Sequence, residues 1–281
     1  MSSFWNHVRW ELRFVFRRKA AWTGFAVILG FQLLFFTLIQ LPEVRPAVKS
    51  FFEKLGYAFS GNFTSLTAAH FVLMNGCGFL ASAFPAFIAC ESIAGDVGSG
   101  MMRLVLCRPV SRLRILGAKL AACTIYLASL AAATAIGALL IASMFEPWGP
   151  MIVQIQETGQ RVQYSAPDGL WLYLRGLPFN ALAAFTWLSF ACLFSSRASR
   201  GSTAIVTTIA LFVTDDLLRR MPFFSSIRSW FVGSLLSSWE RIYEPSMDWT
   251  WVPEVCGRML AIDAVLLTVA ALLFARRDFN P

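Results

Sequence analysis

Six long apolar runs, separated by polar or helix-breaking stretches, organise this chain. They cover about 20–41, 68–90, 115–145, 175–194, 203–218 and 259–275. Each reads as a membrane-crossing helix, because a crossing takes roughly 20 consecutive apolar residues. The stretch before the first run is patterned differently. Over residues 4–19, Phe4, Trp5, Val8, Leu12, Val15 and Phe16 recur on one helical face. Arg9, Arg13 and Arg17 form a stripe beside that face, one turn apart. This predicts an amphipathic helix within residues 1–19, lying in the membrane plane with its arginines at lipid phosphates. The same arginines serve as a positive flank for the first span.

Breakers punctuate the runs. Pro42 marks the exit of the first, since the residue before a proline avoids the helical region. Pro85 kinks the second, and Pro178 falls in the first turn of the fourth. The third run would be about 45 Å long as a straight helix, against a hydrocarbon core of about 30 Å, so it is tilted or projects into the cytoplasm. Its Ala121, Ala128, Ala132, Ala135 and Gly137 offer a seam for close helix approach. Residues 43–67 read as an external loop with a short surface helix at Val48–Phe59. Residues 146–174 read as another, with a hairpin over Met151–Tyr164 around Gly159. The longest loop, 219–258, holds Phe223–Trp239, an aromatic stretch interrupted by Ser, Arg and Gly that reads as re-entrant or interfacial rather than crossing.

Composition agrees with the pattern. The chain is 57% hydrophobic and only 14% charged, with a mean hydropathy of +0.61, whereas soluble domains are about a quarter charged. The fold class is therefore an all-α integral membrane protein of six transmembrane helices, an N-terminal interfacial helix and a cytoplasmic segment between the second and third spans. The net charge of +8 serves topology rather than nucleic acid. With the N-terminus inside, the inner segments carry Arg9, Arg13, Arg17, Arg18, Lys19, Arg103, Arg108, Arg112, Arg114, Lys119, Arg197, Arg200, Arg276 and Arg277. Against these stand only Glu11, Glu91, Asp96 and Asp278. The positive-inside rule then puts both termini in the cytoplasm. The N-terminus lacks the small-residue cleavage site of a secretory signal. The six cysteines have neither the pairing of a disulfide framework nor zinc-site spacing.

Catalytic chemistry is not visible. There is no G-x-x-x-x-G-K-[ST] phosphate loop, no H-E-x-x-H and no G-x-S-x-G. No catalytic, cofactor-binding or metal-ligating set is expected, and energy for active work would come from elsewhere. Asp263, expected about one turn below the outer end of the last span, is the pathway candidate, because an intramembrane carboxylate is costly without a polar cavity or partner. The alternative is that it reaches the interface or pairs with Arg258. Asp215 and Asp216 lie where the fifth span meets water, and His70 reads as an interfacial hydrogen-bonding residue.

The most motif-like stretch is the connector, 91–114, running on to Lys119: ESIAGDVGSGMMRLVLCRPVSRLRILGAK. Glu91 closes the second span, Gly95, Gly98 and Gly100 offer a hinge, and Pro109 excludes helix just before Ser111, a helix N-cap for the third span. The series Glu91, Ala94-Gly95-Asp96, Gly100, Arg103-Leu104, Leu106, Arg108-Pro109-Val110-Ser111-Arg112, Ile115-Leu116 and Lys119 resembles the connector of ABC transporter permeases of the ABC type-2 family. The start, with Trp5, Trp10 and Glu11, and the end, with Phe274, Arg276-Arg277-Asp278 and Phe279, are similar to that family's ends. Where the family often has Glu-x-Gly-Thr-Leu, this chain has Ser99-Gly100-Met101-Met102.

The resemblance implies a permease subunit in a bacterial cytoplasmic membrane that exports cargo. It further implies a second permease copy or paralogue and a separately encoded ABC ATPase that holds the ATP and magnesium. It also implies that the coupling segment, with Glu91, Gly95, Asp96, Gly100, Met101, Arg103, Arg108, Pro109, Val110, Ser111 and Arg112, and the interfacial helix carry ATPase closure to the spans. Two rival readings remain: an ion-coupled carrier using Asp263, which would depend on the proton gradient rather than ATP, and a scaffold without transport, which would recover no ATPase.

Overall fold

The computed structural model describes residues 4–44, 46, 64–107, 110–154, 161–243 and 249–277. The surface helix expected at Val48–Phe59, the turn around Gly159, and Arg108 and Pro109 lie outside them. Among the described residues, six helices are long and apolar enough to cross a bilayer. This is an all-α integral membrane protein.

Helix α1 (Phe4–Arg17) and helix α2 (Lys19–Gln40) meet at Arg18, whose extended backbone (ψ 129°) breaks the helix without a linker. Helix α3 runs from residue 65 to residue 98 as one rod. It is built of α-helical turns at Ser65–Val72, Gly78–Cys90 and Asp96–Gly98, with π-helical turns at Leu73–Cys77 and Glu91–Gly95 between them. Thr64 caps it, its hydroxyl accepting from the Thr67 amide. Glu91 therefore does not close the helix. The rod continues to Gly98, and Gly95 and Gly98 are helical residues. The only left-handed residue among those described is Gly100 (φ 75°), where the chain turns sharply into α4 (Met101–Leu106).

Helix α5 (Arg112–Phe145) starts at Ser111, whose hydroxyl accepts from the Arg114 amide at 3.3 Å. Its 34 residues span about 51 Å, longer than a bilayer core. A two-stranded antiparallel ribbon follows, β1 (Met151–Gln154) with β2 (Arg161–Tyr164), Met151 opposite Tyr164. Helix α6 (Ala166–Arg197) begins two turns before the expected Arg175. Pro167 takes the first-turn position where a missing amide costs nothing, so Pro178 lies inside the helix rather than in its first turn. Helix α7 is Gly201–Arg220. The stretch expected to be re-entrant forms broken helical pieces: 3-10 turns at Pro222–Trp230 and Ser238–Tyr243 around the short α8 (Val232–Ser237). The carboxylate of Asp215, expected to reach water, instead accepts from the amides of Val232 (3.1 Å) and Gly233 (2.7 Å) at the start of α8. The last helix, α9, is Trp251–Arg276, two turns longer at its N-terminal end than the expected start at Met259.

Packing sorts the helices. Helix α6 lies against α3, α5 and α9, while α5 also receives α1, α2 and α3. The main apolar core runs between these elements from Val15 and Ile28 to Tyr173 and Leu188. Polar side chains pin helix to helix by reaching backbone carbonyls: Tyr126 Oη donates to Ala21 (2.9 Å), Gln32 Nε2 to Thr134 (2.9 Å) and Tyr173 Oη to Ala135 (3.0 Å). In an apolar surround each such bond satisfies a group that water cannot reach. A second, smaller core sits at the connector end of the bundle. There Met102 and Val110 of the connector pack with Ile93, Ile115, Leu116, Cys192 and Phe274.

Candidate functional site

The amphipathic helix α1 does not lie apart on a surface. It packs along the first turns of α5, burying Val8, Glu11 and Val15, while Arg9, Arg13 and Arg17 are all exposed. Phe4 and Trp5, expected on the apolar face, are also exposed. Residues 8, 11 and 15 share one stripe at helical spacing, so a carboxylate occupies the middle of the apolar seam.

That carboxylate has a partner. Lys119, 2% exposed on α5, places Nζ 3.1 Å from Glu11 Oε1 and 2.6 Å from Asp96 Oδ2. Arg18, at the α1–α2 junction, donates from Nη2 to Asp96 Oδ1 at 2.9 Å. Two cations and two anions thus close a neutral cluster with little exposure to water. It joins the interfacial helix, the start of the first span, the last turn of the α3 rod and the third span. Burial pushes the Glu11 carboxyl above the usual carboxylate range; the nearby Lys119 charge pulls it the other way but does not win. Charges buried to this degree persist only when each finds a counter-charge.

The rest of the connector is held by two further contacts. Glu91, half-buried, sets its carboxylate against Gly201, the first residue of α7. A β-carbon at Gly201 would collide with the carboxylate oxygens, and the positive end of the α7 dipole faces them. Arg112, at the start of α5, donates from Nη1 to the carbonyls of Ala275 (2.9 Å) and Arg277 (2.7 Å), satisfying the C-terminal turn of α9. The residues from Glu91 to Arg112 therefore touch the ends of α1, α5, α7 and α9.

A family model described as ABC-2 family transporter protein matches residues 7–220. The chain belongs to the ABC-2 transporter family. No curated protein matches it. As an ABC permease it is the membrane transport subunit, not itself the ATPase, and permeases of this family generally work with an ABC ATPase partner.

Within this permease the expected coupling residues separate into groups. Asp96 is in the charge cluster, Glu91 at the α7 start, and Arg112 at the α9 end. Gly100 makes the turn, and Val110 packs in the second core. Gly95 lies in the π-helical turn beside the Glu91 carboxyl, Met101 opens α4 half-buried, and Ser111 caps α5. Arg103 lies in α4. Glu11 and Lys119 complete the cluster with Asp96 but were not grouped with it from the sequence. The available signal was a carboxylate in an apolar stripe together with a lysine inside an apolar run.

Asp263 stands apart. The early start of α9 moves it from the outer end to mid-helix, 2% exposed. Arg258 does not pair with it; that guanidinium pairs with Glu254 at 2.5 Å.

Proposed function

We propose that this permease is the membrane half of an ATP-driven exporter, working as a dimer or with a paralogous subunit above a separately encoded ATPase in a bacterial cytoplasmic membrane. The observation that carries this reading is the Arg18–Glu11–Asp96–Lys119 cluster. A lever needs its arm fixed to what it moves. The cluster fixes the interfacial helix and the connector to the first and third spans, and Glu91 and Arg112 extend the attachment to the fifth and sixth. Force applied from below to α4 would reach four spans through short, buried, charge-assisted contacts.

The exposed stripe of Arg9, Arg13 and Arg17, together with Arg103 and Arg108, supplies positive charge for acidic lipid headgroups and acidic ATPase surfaces. The test is co-purification. The tagged permease, extracted in mild detergent, is expected to bring with it a chain carrying a phosphate-binding loop. The double variant Arg103→Glu, Arg108→Glu is expected to reach the membrane at normal levels but to recover at least tenfold less ATPase. Full recovery by that variant would remove the connector from the contact. Uphill transport by the permease alone in sealed vesicles would remove the ATPase from the mechanism.

A further inference from the structure

The middle of the bundle holds one carboxylate that the coupling machinery does not use. Asp263 lies at the centre of α9, facing α6, and its Oδ1 has no hydrogen-bond partner among the described residues. Two hydroxyls from adjacent turns of α6 face it. Thr186 Oγ1 donates to Asp263 Oδ2 at 3.3 Å, and the Ser189 hydroxyl lies beside the same side chain.

The hydrogens of these hydroxyls are already committed. Ser189 Oγ donates to the Phe185 carbonyl at 3.0 Å. Thr186 Oγ1 divides its hydrogen between the Leu182 carbonyl at 3.4 Å and Asp263. A hydroxyl has one hydrogen and two lone pairs, so the Ser189 oxygen presents lone pairs to a carboxylate that also presents lone pairs. The Ser189 and carboxylate oxygens, converging this way, repel one another unless a cation or a proton lies between them.

The described residues of the packed elements do not supply that charge. On α9, Arg258 is paired with Glu254 and Arg276 is at the cytoplasmic end. On α6, Arg175 stacks over Trp171 and Trp249, and Arg197 ends the helix. On α5, Lys119 belongs to the charge cluster, Arg112 to the α9 end, and Arg114 lies in the first turn of the helix. Helix α8 contributes only Ser234 and Ser237 as polar side chains.

We propose that Asp263, Thr186 and Ser189 form a mid-span site for a sodium-sized monovalent cation. One carboxylate balances one positive charge, which disfavours a divalent ion that would draw several carboxylates. The small, hard, all-oxygen donor set suits sodium better than a softer metal. Bound there, the ion ties the fourth span to the sixth and removes the cost of an intramembrane carboxylate. The site is independent of which subunit supplies energy, so it can fail while the ATPase reading stands.

The test is thermal unfolding of the purified full-length permease in nanodiscs of zwitterionic lipid, with sodium chloride replacing choline chloride at constant ionic strength. A saturable rise in Tm with sodium, smaller with potassium, is expected. Asp263→Asn, a neutral isostere, is expected to lose the sodium response and to match or exceed the wild-type Tm in sodium-free buffer. Thr186→Val and Ser189→Ala each remove one oxygen and are expected to keep a response with about tenfold weaker affinity. They carry the test should Asp263→Asn not fold. A wild-type Tm indifferent to sodium, or an unchanged response in all three variants, overturns the site. A Tm that climbs as pH falls with no sodium dependence also overturns it, by showing that a proton takes the place assigned to the ion.

Discussion

Lys119 holds two carboxylates from two other elements, and removing it would be the most damaging single change in the charge cluster. Lys119→Met leaves Glu11 and Asp96 facing each other with Arg18 alone, a loss of about 3–5 kcal/mol for an uncompensated buried charge. The triple variant Lys119→Met, Glu11→Gln, Asp96→Asn is expected to recover most of it, measured as Tm in detergent. Glu11→Gln by itself is expected to be the mildest change, because burial already disfavours the ionised form of Glu11. The sign of its pH dependence follows. With a folded pKa above the unfolded one, the folded state takes up a proton first as pH falls. The Glu11 contribution therefore stabilises the fold in acid relative to neutral pH and is lost as pH rises through the raised value. The difference in Tm between wild type and Glu11→Gln is expected to shift in favour of wild type on mild acidification; a pH-independent difference would contradict the burial argument.

Two helix ends carry the connector's leverage, and both can be tested one contact at a time. Arg112 caps the last turn of α9 from the first turn of α5. Arg112→Met is expected to cost about 1.5–3 kcal/mol, the range for charge-assisted hydrogen bonds, with faster hydrogen exchange confined to the C-terminal turn of α9. Exchange unchanged there would mean that other contacts hold the end. At the start of α7, Gly201→Ala drives a β-carbon into the Glu91 carboxylate. It is expected to destabilise the permease alone but to be tolerated together with Glu91→Ala, and this rescue checks that the clash is with that side chain. The amphipathic pattern of α1 was legible in the sequence, and so was its arginine stripe. The face it buries was not. An apolar stripe reads the same whether it meets acyl chains or a neighbouring helix, and the exposed Trp5 and Trp10 against buried Glu11 are decided by what α5 offers opposite them.

For the whole molecule, an even number of crossings with an inside N-terminus makes a clean prediction. Cys107 in the connector is exposed and Cys256 in the outer half of α9 is partly so, while Cys77, Cys90, Cys123 and Cys192 are buried. Single-cysteine variants retaining Cys107 or Cys256 are expected to react with a membrane-impermeant maleimide from opposite sides of sealed vesicles, Cys107 from the cytoplasm. Labelling from the same side would require an even number of crossings between them instead of three and would overturn the arrangement. At this scale the apolar runs were enough for the membrane class and the six spans, because bilayer thickness acts on each segment separately.

By itself the sequence determined the membrane class, the helix count and the family-like connector, since each depends on local composition or on short spacing. It placed helix ends less well. Pro178 and the outer half of α9 were misjudged because a buried or protein-packed turn continues past the apolar run that a bilayer would reward. Only the tertiary structure decided that Glu11, Asp96, Arg18 and Lys119 are one cluster, that Glu91 meets α7, and that Asp263 lies mid-span facing two hydroxyls. Apart from Asp96–Lys119, 23 positions apart, those contacts join residues about 80 to 110 positions apart in the chain. Electrostatics in a medium that excludes water depends on who the neighbour is, and distance along the chain carries no record of that.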